Sequence, residues 1–265
     1  MSEPAERRVL VRFEERAGGA RIAFVIINNA RKLNTLNSPL MDDFIATLAG
    51  LAADDKLRAV VVTGDGHKAF VGGADIDEMV GLDESSARAF ITRVHRCCRA
   101  LRECPVPVIA RIQGYALGAG LEIAAACDLR VAADTARFGM PEVKLGIPSV
   151  VEAALLPGLA GWGRARELLL LGETFSAREA ESWGLIERVV TIAELDGVVE
   201  RWTSSIVQAG AYAVRLQKQL IRAWEHLPLN QAIEAGIDTF CKAWQTSEPR
   251  DMMKKFQASR RIKTI

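Results

Sequence analysis

The sequence has 265 residues, of which 49% are hydrophobic and 25% are charged, and its formal net charge is +1 at pH 7. This composition is typical of a globular protein that is long enough to bury a sizeable core. The near-neutral balance, without a long run of one sign, argues against a nucleic-acid-binding protein or a membrane-surface patch. No apolar run reaches the roughly 18 residues that a membrane-spanning helix needs.

The cysteines and the amino-terminal stretch predict a cytoplasmic protein. The stretch MSEPAERRVLVRFEE is charged and lacks the apolar core of a secretory signal. The cysteines are odd in number and lack metal-site spacing, so we interpret them as reduced core thiols. They are Cys97, Cys98, Cys104, Cys127 and Cys241. The three histidines are scattered, and each is interpreted as a surface or packing residue.

Strand-like and helix-like segments alternate in the first part of the chain. The segments VLVRFEE (9–15) and RIAFVIINN (21–29) predict two strands joined by a glycine turn at 18–19. Residues 38–54 predict a helix with Ser38 as its N-cap and Pro39 at its first position. The apolar runs LRAVVVTGDG and VPVIARIQG predict buried strands on either side of an amphipathic helix.

The last quarter of the chain predicts helices at 195–209, 211–226, 228–246 and 249–260. The repeated strand–helix order before this point predicts an α/β fold class. We therefore divide the chain into an α/β core, residues 1–194, and a helical region, residues 195–265. The helical region is expected to pack on the core or to make subunit contacts.

Two glycine-rich turns stand out. In AFVGGADIDEM (69–79), paired glycines follow a strand and allow a ligand to approach the backbone. In GYALGAGLEIAAACD (114–128), glycines surround the point where a strand becomes an apolar helix. The free N–H groups of a helix start suit a developing negative charge. Each turn taken alone is also compatible with simple tight packing.

Two glutamates accompany these turns. Glu122 lies in the apolar helix, where a carboxylate is rarely buried without a partner or a task. Such surroundings should raise its pKa, a common property of a catalytic acid or base. Glu142 follows Pro141 in ARFGMPEVKLGIPSVVEAALLPGLAG (136–161), a loop rich in glycine and proline. Taken alone, Glu142 is compatible with a solvated residue or a partner of Lys144.

Together and in this order, AFVGGADI, GYALGAGLEIAAACDLRVA and FGMPEVKLGI resemble the crotonase superfamily, the enoyl-CoA hydratase/isomerase group. The similarity continues in NNARKLNTLN and in LLLLGETFSAREAESWGLIERVV, and it covers roughly residues 10 to 200. The resemblance implies a crotonase-like spiral core of repeated ββα units with a C-terminal helical trimerisation region. It also implies a homotrimer or a dimer of trimers.

The resemblance implies the hydration of 2-trans-enoyl-CoA thioesters to 3-hydroxyacyl-CoA. The backbone N–H groups of Ala74 and Ala119 would bind the thioester oxygen. Glu122 would act mainly on water and Glu142 mainly on the C2 proton, although two adjacent carboxyls can titrate as a unit. No metal or redox cofactor is implied, because coenzyme A is part of the substrate.

The resemblance also implies a coenzyme A site. Arg31 and Lys32 match a basic position that meets the phosphates, and Phe256 matches a residue that can reach the site of a neighbouring subunit. The full set of implied substrate-binding residues is Arg31, Lys32, Leu33, Gly73, Asp75, Ile76, Gly118 and Phe256.

The chain departs from the family pattern at GIPSVVEAALLP, where Ser149, Val150 and Val151 replace small residues and Glu152 occupies a normally uncharged position. One interpretation is a differently packed helix start capped by Ser149. The other places Glu152 at the pocket wall, with altered acyl specificity. Other functions also stay open: double-bond isomerisation, another CoA-thioester reaction, and a non-catalytic RNA-binding or assembly role. The near-neutral charge disfavours the RNA role, and the glutamate pair disfavours isomerisation, which tends to need one carboxylate.

Overall fold

The computed structural model describes residues 7–262 of the chain. The strands are β1 (Val9–Glu15), β2 (Arg21–Ile27), β3 (Leu57–Gly64), β4 (Ala69–Val71), β5 (Val108–Ile112), β6 (Tyr115–Leu117), β7 (Leu129–Ala133), β8 (Arg137–Gly139), β9 (Thr174–Ser176) and β10 (Arg188–Val190). The helices are α1 (Ser38–Ala52), α2 (Ile76–Met79), α3 (Glu84–Glu103), α4 (Ala119–Ala126), α5 (Leu156–Leu171), α6 (Ala177–Ser182), α7 (Leu195–Gln208), α8 (Ala211–Trp224), α9 (Leu229–Ala243) and α10 (Glu248–Ile262).

The strands form two sheets with the orders β1-β2-β3-β5-β7-β10 and β4-β6-β8-β9. Each of the pairs β3/β4, β5/β6 and β7/β8 places its first strand in the larger sheet and its second in the smaller one. After the first two pairs the chain enters a helix, α2 and α4 respectively. This is the predicted core of repeated ββα units, and the predicted α/β class is confirmed.

The larger sheet is mostly parallel and covered on both faces. The apolar run of β3, read as a buried strand from the sequence, has Val60, Val61 and Val62 fully buried. One face packs in a core with residues of α1, α3 and α4, while the other packs under α7 through residues such as Leu195 and Val198. The first helix of the 195–265 region is therefore joined to the α/β core by a shared hydrophobic cluster, and the division at residue 194 stays a prediction.

The helix predictions agree closely with the structure, except at one cap. The Asn37 side chain, not Ser38, caps α1 by accepting a hydrogen bond from the Leu40 amide at 3.0 Å. Ser38 becomes the first helical residue and donates its hydroxyl to Glu78 of α2. Both residues are good caps, and the contact with Glu78, which is distant in sequence, decides between them.

The cysteines are free thiols, as predicted. Cys97, Cys98, Cys104 and Cys127 are buried, as predicted for core thiols, but Cys241 is exposed, so its prediction as a core residue was wrong. Within residues 7–262, none of the helices has the length and hydropathy required to cross a membrane.

Candidate active site

Three neighbouring strands of the smaller sheet end at one edge. β6 pairs in parallel with β4 on one side and with β8 on the other. The register places Val71 beside Ala116 and Leu117 beside Gly139. The chain segments that follow these strands carry Ala74, Ala119 and Glu142 respectively. Parallel pairing therefore brings together residues from three separate sequence motifs, because the carboxyl ends of parallel strands share one edge.

In the turn after β4, the N–H group of Ala74 points away from Leu36, the backbone segment beside it. Leu36 donates its N–H to the Gly73 carbonyl at 2.9 Å and accepts a hydrogen bond from the Asp75 N–H at 2.9 Å. Because consecutive backbone groups of an extended segment point to opposite sides, the N–H of Ala74 faces away from Leu36. Gly73 has a φ of 115°, and a Cβ there would lie 3.3 Å from the Leu117 carbonyl, so this turn lies against the end of β6.

The turn after β6 presents the first amides of α4. Gly118 has a φ of 50° and precedes the helix, and its carbonyl accepts from the amides of Leu121 and Glu122. The Ala119 amide is at the first helical position and has no partner within the helix. Among the hydrogen bonds of residues 7–262, neither the Ala74 nor the Ala119 amide acts as a donor. The two turns thus offer a pair of N–H groups at the same edge.

Glu122 is buried, with 4% of its surface exposed, in a helix whose eight residues are all buried. Its Oε1 accepts a hydrogen bond from the Ala153 amide at 3.0 Å. Burial raises the pKa of Glu122 to about 8, the Ala153 hydrogen bond opposes this rise, and the charges of Glu142 and Glu152 add to it. The predicted raised pKa therefore follows mainly from desolvation, because water is excluded from the charged form.

Glu142 lies at the mouth of this cluster, in a 3-10 turn spanning Pro141–Leu145. Its Oε2 accepts a hydrogen bond from the Ser149 hydroxyl at 2.8 Å. A Cβ on Gly118 would overlap the other carboxylate oxygen, so Glu142 lies directly against the start of α4. The Glu142 carboxylate therefore faces the Ala119 end of the helix, within electrostatic range of Glu122.

In the segment that departs from the family pattern, the structure buries the Glu152 side chain and does not use Ser149 as a helix cap. Ser149 does not cap the following 3-10 turn, Val151–Leu155, because its hydroxyl is used by Glu142. The interpretation of Ser149 as a cap is therefore wrong. Glu152 is 7% exposed and forms a pair with His95 of α3. His95 consequently has a specific partner beside the candidate site.

The basic residues implied for coenzyme A lie before the first glycine turn. Lys32 Nζ lies 3.2 Å from Asp75 Oδ2 and 2.7 Å from Asp77 Oδ2. The hydrogen bond to Asp77, followed by that to Asp75, raises the pKa of Lys32. Arg31 is exposed. Any phosphate that binds Lys32 must therefore compete with two carboxylates already in place.

The remaining implied binding residues are divided by the structure. Leu33, with a φ of 54°, and Ile76 are exposed residues flanking the turn that holds Gly73 and Asp75. Phe256 lies on α10 and is 62% exposed, with the Arg260 guanidinium 5.7 Å from its ring centroid. Within the described part of the chain, no hydrogen bond or ring contact joins Phe256 to the glycine turns.

Asn34 is a residue that the sequence analysis missed. It is fully buried, with a φ of 57°. Its Nδ2 donates to the Ala69 carbonyl at 2.8 Å and to the Asp65 carbonyl at 3.0 Å, while its Oδ1 accepts from the Asn29 amide at 3.0 Å. Asn34 thereby fixes the 28–36 loop against β4. The available signal was an asparagine between Leu33 and Thr35 in a loop, since asparagine tolerates the left-handed region.

The assembled site offers two amide donors and carboxyl groups in a largely apolar surround. Such donors stabilise an oxyanion, and a carboxyl with a raised pKa can exchange a proton near neutral pH. Within residues 7–262, no cluster of three or more His, Cys, Asp or Glu side chains could hold a metal ion.

Comparisons with known proteins agree with this geometry. A family model described as enoyl-CoA hydratase/isomerase matches residues 17–263. The short-chain-enoyl-CoA hydratase of Clostridium acetobutylicum is 35% identical over 243 residues, covering 91% of this chain and 93% of that protein. The crotonyl-CoA hydratase of Syntrophomonas wolfei is 33% identical over 246 residues, covering 92% and 95%.

A solved structure shares the whole architecture. The enoyl-CoA hydratase from Bacillus anthracis superposes with a TM-score of 0.89 and 30% identity, covering 96% of this chain and 97% of that one. These matches agree with the motifs, the ββα core and the shared position of the strand ends. The chain belongs to the enoyl-CoA hydratase/isomerase family.

Proposed function

We propose that this protein is an enoyl-CoA hydratase, which adds water reversibly to 2-trans-enoyl-CoA thioesters to give 3-hydroxyacyl-CoA. The observation that carries the proposal is the convergence of two carboxyl groups, Glu122 and Glu142, on an edge with two undonated amides. The relatives named as hydratases of short-chain enoyl-CoA and crotonyl-CoA support the same reaction and favour a short acyl chain.

The reaction needs stabilisation of an enolate and movement of one proton. The Ala74 and Ala119 N–H groups bind the thioester oxygen and stabilise the negative charge that develops when C3 is attacked. Glu122 takes a proton from water as its oxygen bonds to C3. Glu142 delivers a proton to C2, so that H and OH have been added across the double bond. The working state therefore has one proton on the glutamate pair.

The glutamate pair is suited to this exchange. A base is most effective when its pKa lies near the working pH, and burial gives Glu122 a pKa of about 8. The Ser149 hydroxyl orients Glu142 at 2.8 Å, and the Ala153 amide orients Glu122 at 3.0 Å. The chemistry relies on amides and carboxyls, and the proposal includes no metal or redox cofactor.

Coenzyme A is proposed to bind along the first glycine turn. Lys32, with Arg31 beside it, would exchange part of its contact with Asp75 and Asp77 for a phosphate. Leu33, Gly73, Ile76 and Gly118 would contribute the backbone and apolar edges of the binding cleft. Five free thiols are compatible with the proposed cytoplasmic location.

Phe256 would act from a neighbouring subunit in a homotrimer or a dimer of trimers. An apolar stripe on α9 supports self-association: Leu229, Ile233, Ile237 and Phe240 are 52–75% exposed and recur at helical spacing. Light scattering with size-exclusion chromatography measures the molar mass of the oligomer. If this stripe is an interface, Ile237→Asp should lower that molar mass.

The test of the function is the loss of enoyl absorbance with crotonyl-CoA. Wild-type protein should consume the substrate, and Glu122→Gln and Glu142→Gln should each lose at least about a hundredfold in kcat, because each removes a proton-transfer group. Glu173→Gln is a matched control, since Glu173 is an exposed glutamate paired with Lys144 outside the cluster. Failure of the wild type with crotonyl-CoA, together with conversion of a 3-enoyl-CoA, would instead establish an isomerase.

A further inference from the structure

A third carboxyl group, that of Glu152, lies near the proposed catalytic pair. Glu152 Oε1 lies 2.9 Å from His95 Nδ1. Its Oε2 is buried and has no hydrogen-bond partner among the described residues. A buried carboxylate oxygen without a donor is costly. A chain that served only packing would be more stable with an apolar residue here, so the position of Glu152 calls for a function.

The turn that buries Glu152 also holds Glu122. Val151 has a φ of 42°, which is a strained conformation for a β-branched residue. This turn orients Glu152 towards α3, and the next residue, Ala153, donates its amide to Glu122 Oε1 at 3.0 Å. Strain of this kind persists when the surrounding structure requires it, and it concentrates at functional sites. One short turn therefore positions both a hydrogen-bond donor and a negative charge at Glu122.

The groups that face this cluster come from three elements. Glu142 and Glu152 each place a negative charge near Glu122. From α3, Cys97 and Cys98 pack into the same region, and burial raises the pKa of both thiols, that of Cys97 to about 12, so they stay neutral.

His95 is the basic side chain that contacts Glu152. Among the described residues, no lysine or arginine forms an ion pair with any of the three carboxylates, whereas the Nδ1 atom of the half-exposed His95 lies 2.9 Å from Glu152 Oε1. The imidazole thus reaches from solvent to a buried carboxylate, and that carboxylate acts electrostatically on Glu122.

We propose that Glu152, anchored by His95, is a positioning residue that places a negative charge near Glu122 and thereby sets how readily the Glu122–Glu142 pair releases its proton. The inference rests on the proposed hydration reaction. It makes Glu152 a determinant of the pH range over which the Glu122–Glu142 pair retains its single proton. A neutral residue at 152 would let Glu122 ionise at lower pH.

The test compares pH profiles of kcat/KM for wild type, Glu152→Gln and His95→Gln. The active pair carries one proton, so activity falls on the alkaline side as the Glu122–Glu142 pair loses that proton. Glu152→Gln should move that alkaline limb to lower pH by about one unit, the size expected from removing a nearby like charge. At a pH well above the limb, this is roughly a tenfold loss of kcat/KM relative to wild type. Glu173→Gln should leave the limb unchanged.

His95→Gln should move the limb in the same direction, because the Glu152 carboxylate without its hydrogen bond to the imidazole is no longer held in place near Glu122. The double variant should shift no further than Glu152→Gln alone, because both changes remove the same charge. If Glu152→Gln fails to fold, the half-exposed His95 position alone decides the question. An unchanged alkaline limb in the folded variants would overturn the proposal.

A substrate-free measurement separates this inference from the proposed function. With glutamate labelled at the carboxyl carbon, the NMR resonance missing from Glu122→Gln reports the titration of Glu122. A lower titration midpoint in Glu152→Gln supports the electrostatic link even if crotonyl-CoA is not hydrated, and an identical midpoint overturns it. Loss of crotonyl-CoA hydration with an intact NMR shift would refute only the proposed reaction.

Discussion

Glutamine in place of Glu122 is expected to remove a loss of stability that the wild-type protein suffers between pH 4.5 and neutral pH, although it also removes a residue proposed for catalysis. In the folded protein Glu122 has a pKa raised from 4.5 to about 8 by burial. Below pH 4.5 both the folded and the unfolded chain hold the proton, so the carboxyl carries no titration penalty. As the pH rises above 4.5, only the unfolded chain ionises, and this favours unfolding. Glutamine does not titrate and escapes the effect.

The magnitude follows from the interval between the two states. A pH of 7 is about 2.5 units above 4.5, the pKa of this carboxyl in the unfolded chain. Each unit corresponds to about 1.4 kcal/mol, so ionisation of the unfolded chain lowers the free energy of unfolding by about 3 kcal/mol. The glutamine amide keeps the acceptor for the Ala153 N–H but adds donors, which cost roughly 1–3 kcal/mol if unsatisfied. That cost is the same at every pH. The change in relative stability between pH 4 and pH 7 is therefore about 3 kcal/mol in favour of the variant.

Urea unfolding of wild type and Glu122→Gln at pH 4, 5, 6 and 7 measures this difference. One fixed protein concentration is needed, because self-association would otherwise shift the midpoints. Glu173→Gln serves as the control, because the Glu173 side chain is 72% accessible. Its free energy of unfolding should follow the wild-type pH dependence. Parallel stability curves for wild type and Glu122→Gln from pH 4 to 7 would refute the reasoning that Glu122 is held protonated by burial.

Two further predictions address the edges of the site. Gly118→Ala should lower kcat roughly tenfold to a hundredfold, because the new Cβ would displace the Glu142 carboxylate, and it should cost about 1–3 kcal/mol of stability, because alanine is strained at a φ of 50°. Steady-state kinetics on the folded fraction and circular dichroism test this, and full activity would contradict the placement of Glu142. Lys32→Gln should raise KM for crotonyl-CoA roughly twofold to fivefold at low salt and leave kcat unchanged, as expected for an exposed charge. Lys56→Gln, which changes an exposed lysine before β3, is the control and should leave KM unchanged. An equal effect of both variants on KM would argue against a specific phosphate contact of Lys32.

Much of the fold was predictable because its signals are local. The apolar run of β3 and the helical periodicity of α3 are visible in short windows of sequence, and the structure places both elements where they were predicted. The buried state of Glu122 was also predictable, because every neighbour in its helix is small or apolar. The N-cap of α1 was not, because Asn37 and Ser38 are both good caps and Glu78, far along the chain, engages Ser38.

The sequence by itself determined the alternation of strands and helices, the positions of the glycine turns and the presence of two glutamates after them, whereas the ββα units were implied by the family resemblance. Only the tertiary structure decided that the ends of β4, β6 and β8 share one edge, which brings Ala74, Ala119 and Glu142 together. It alone placed Glu152 against His95, in the same turn as the Ala153 amide that binds Glu122. The physical reason is that periodicity and turn chemistry act over a few residues, whereas strand register and the burial of a charge depend on contacts between segments that are far apart in the chain.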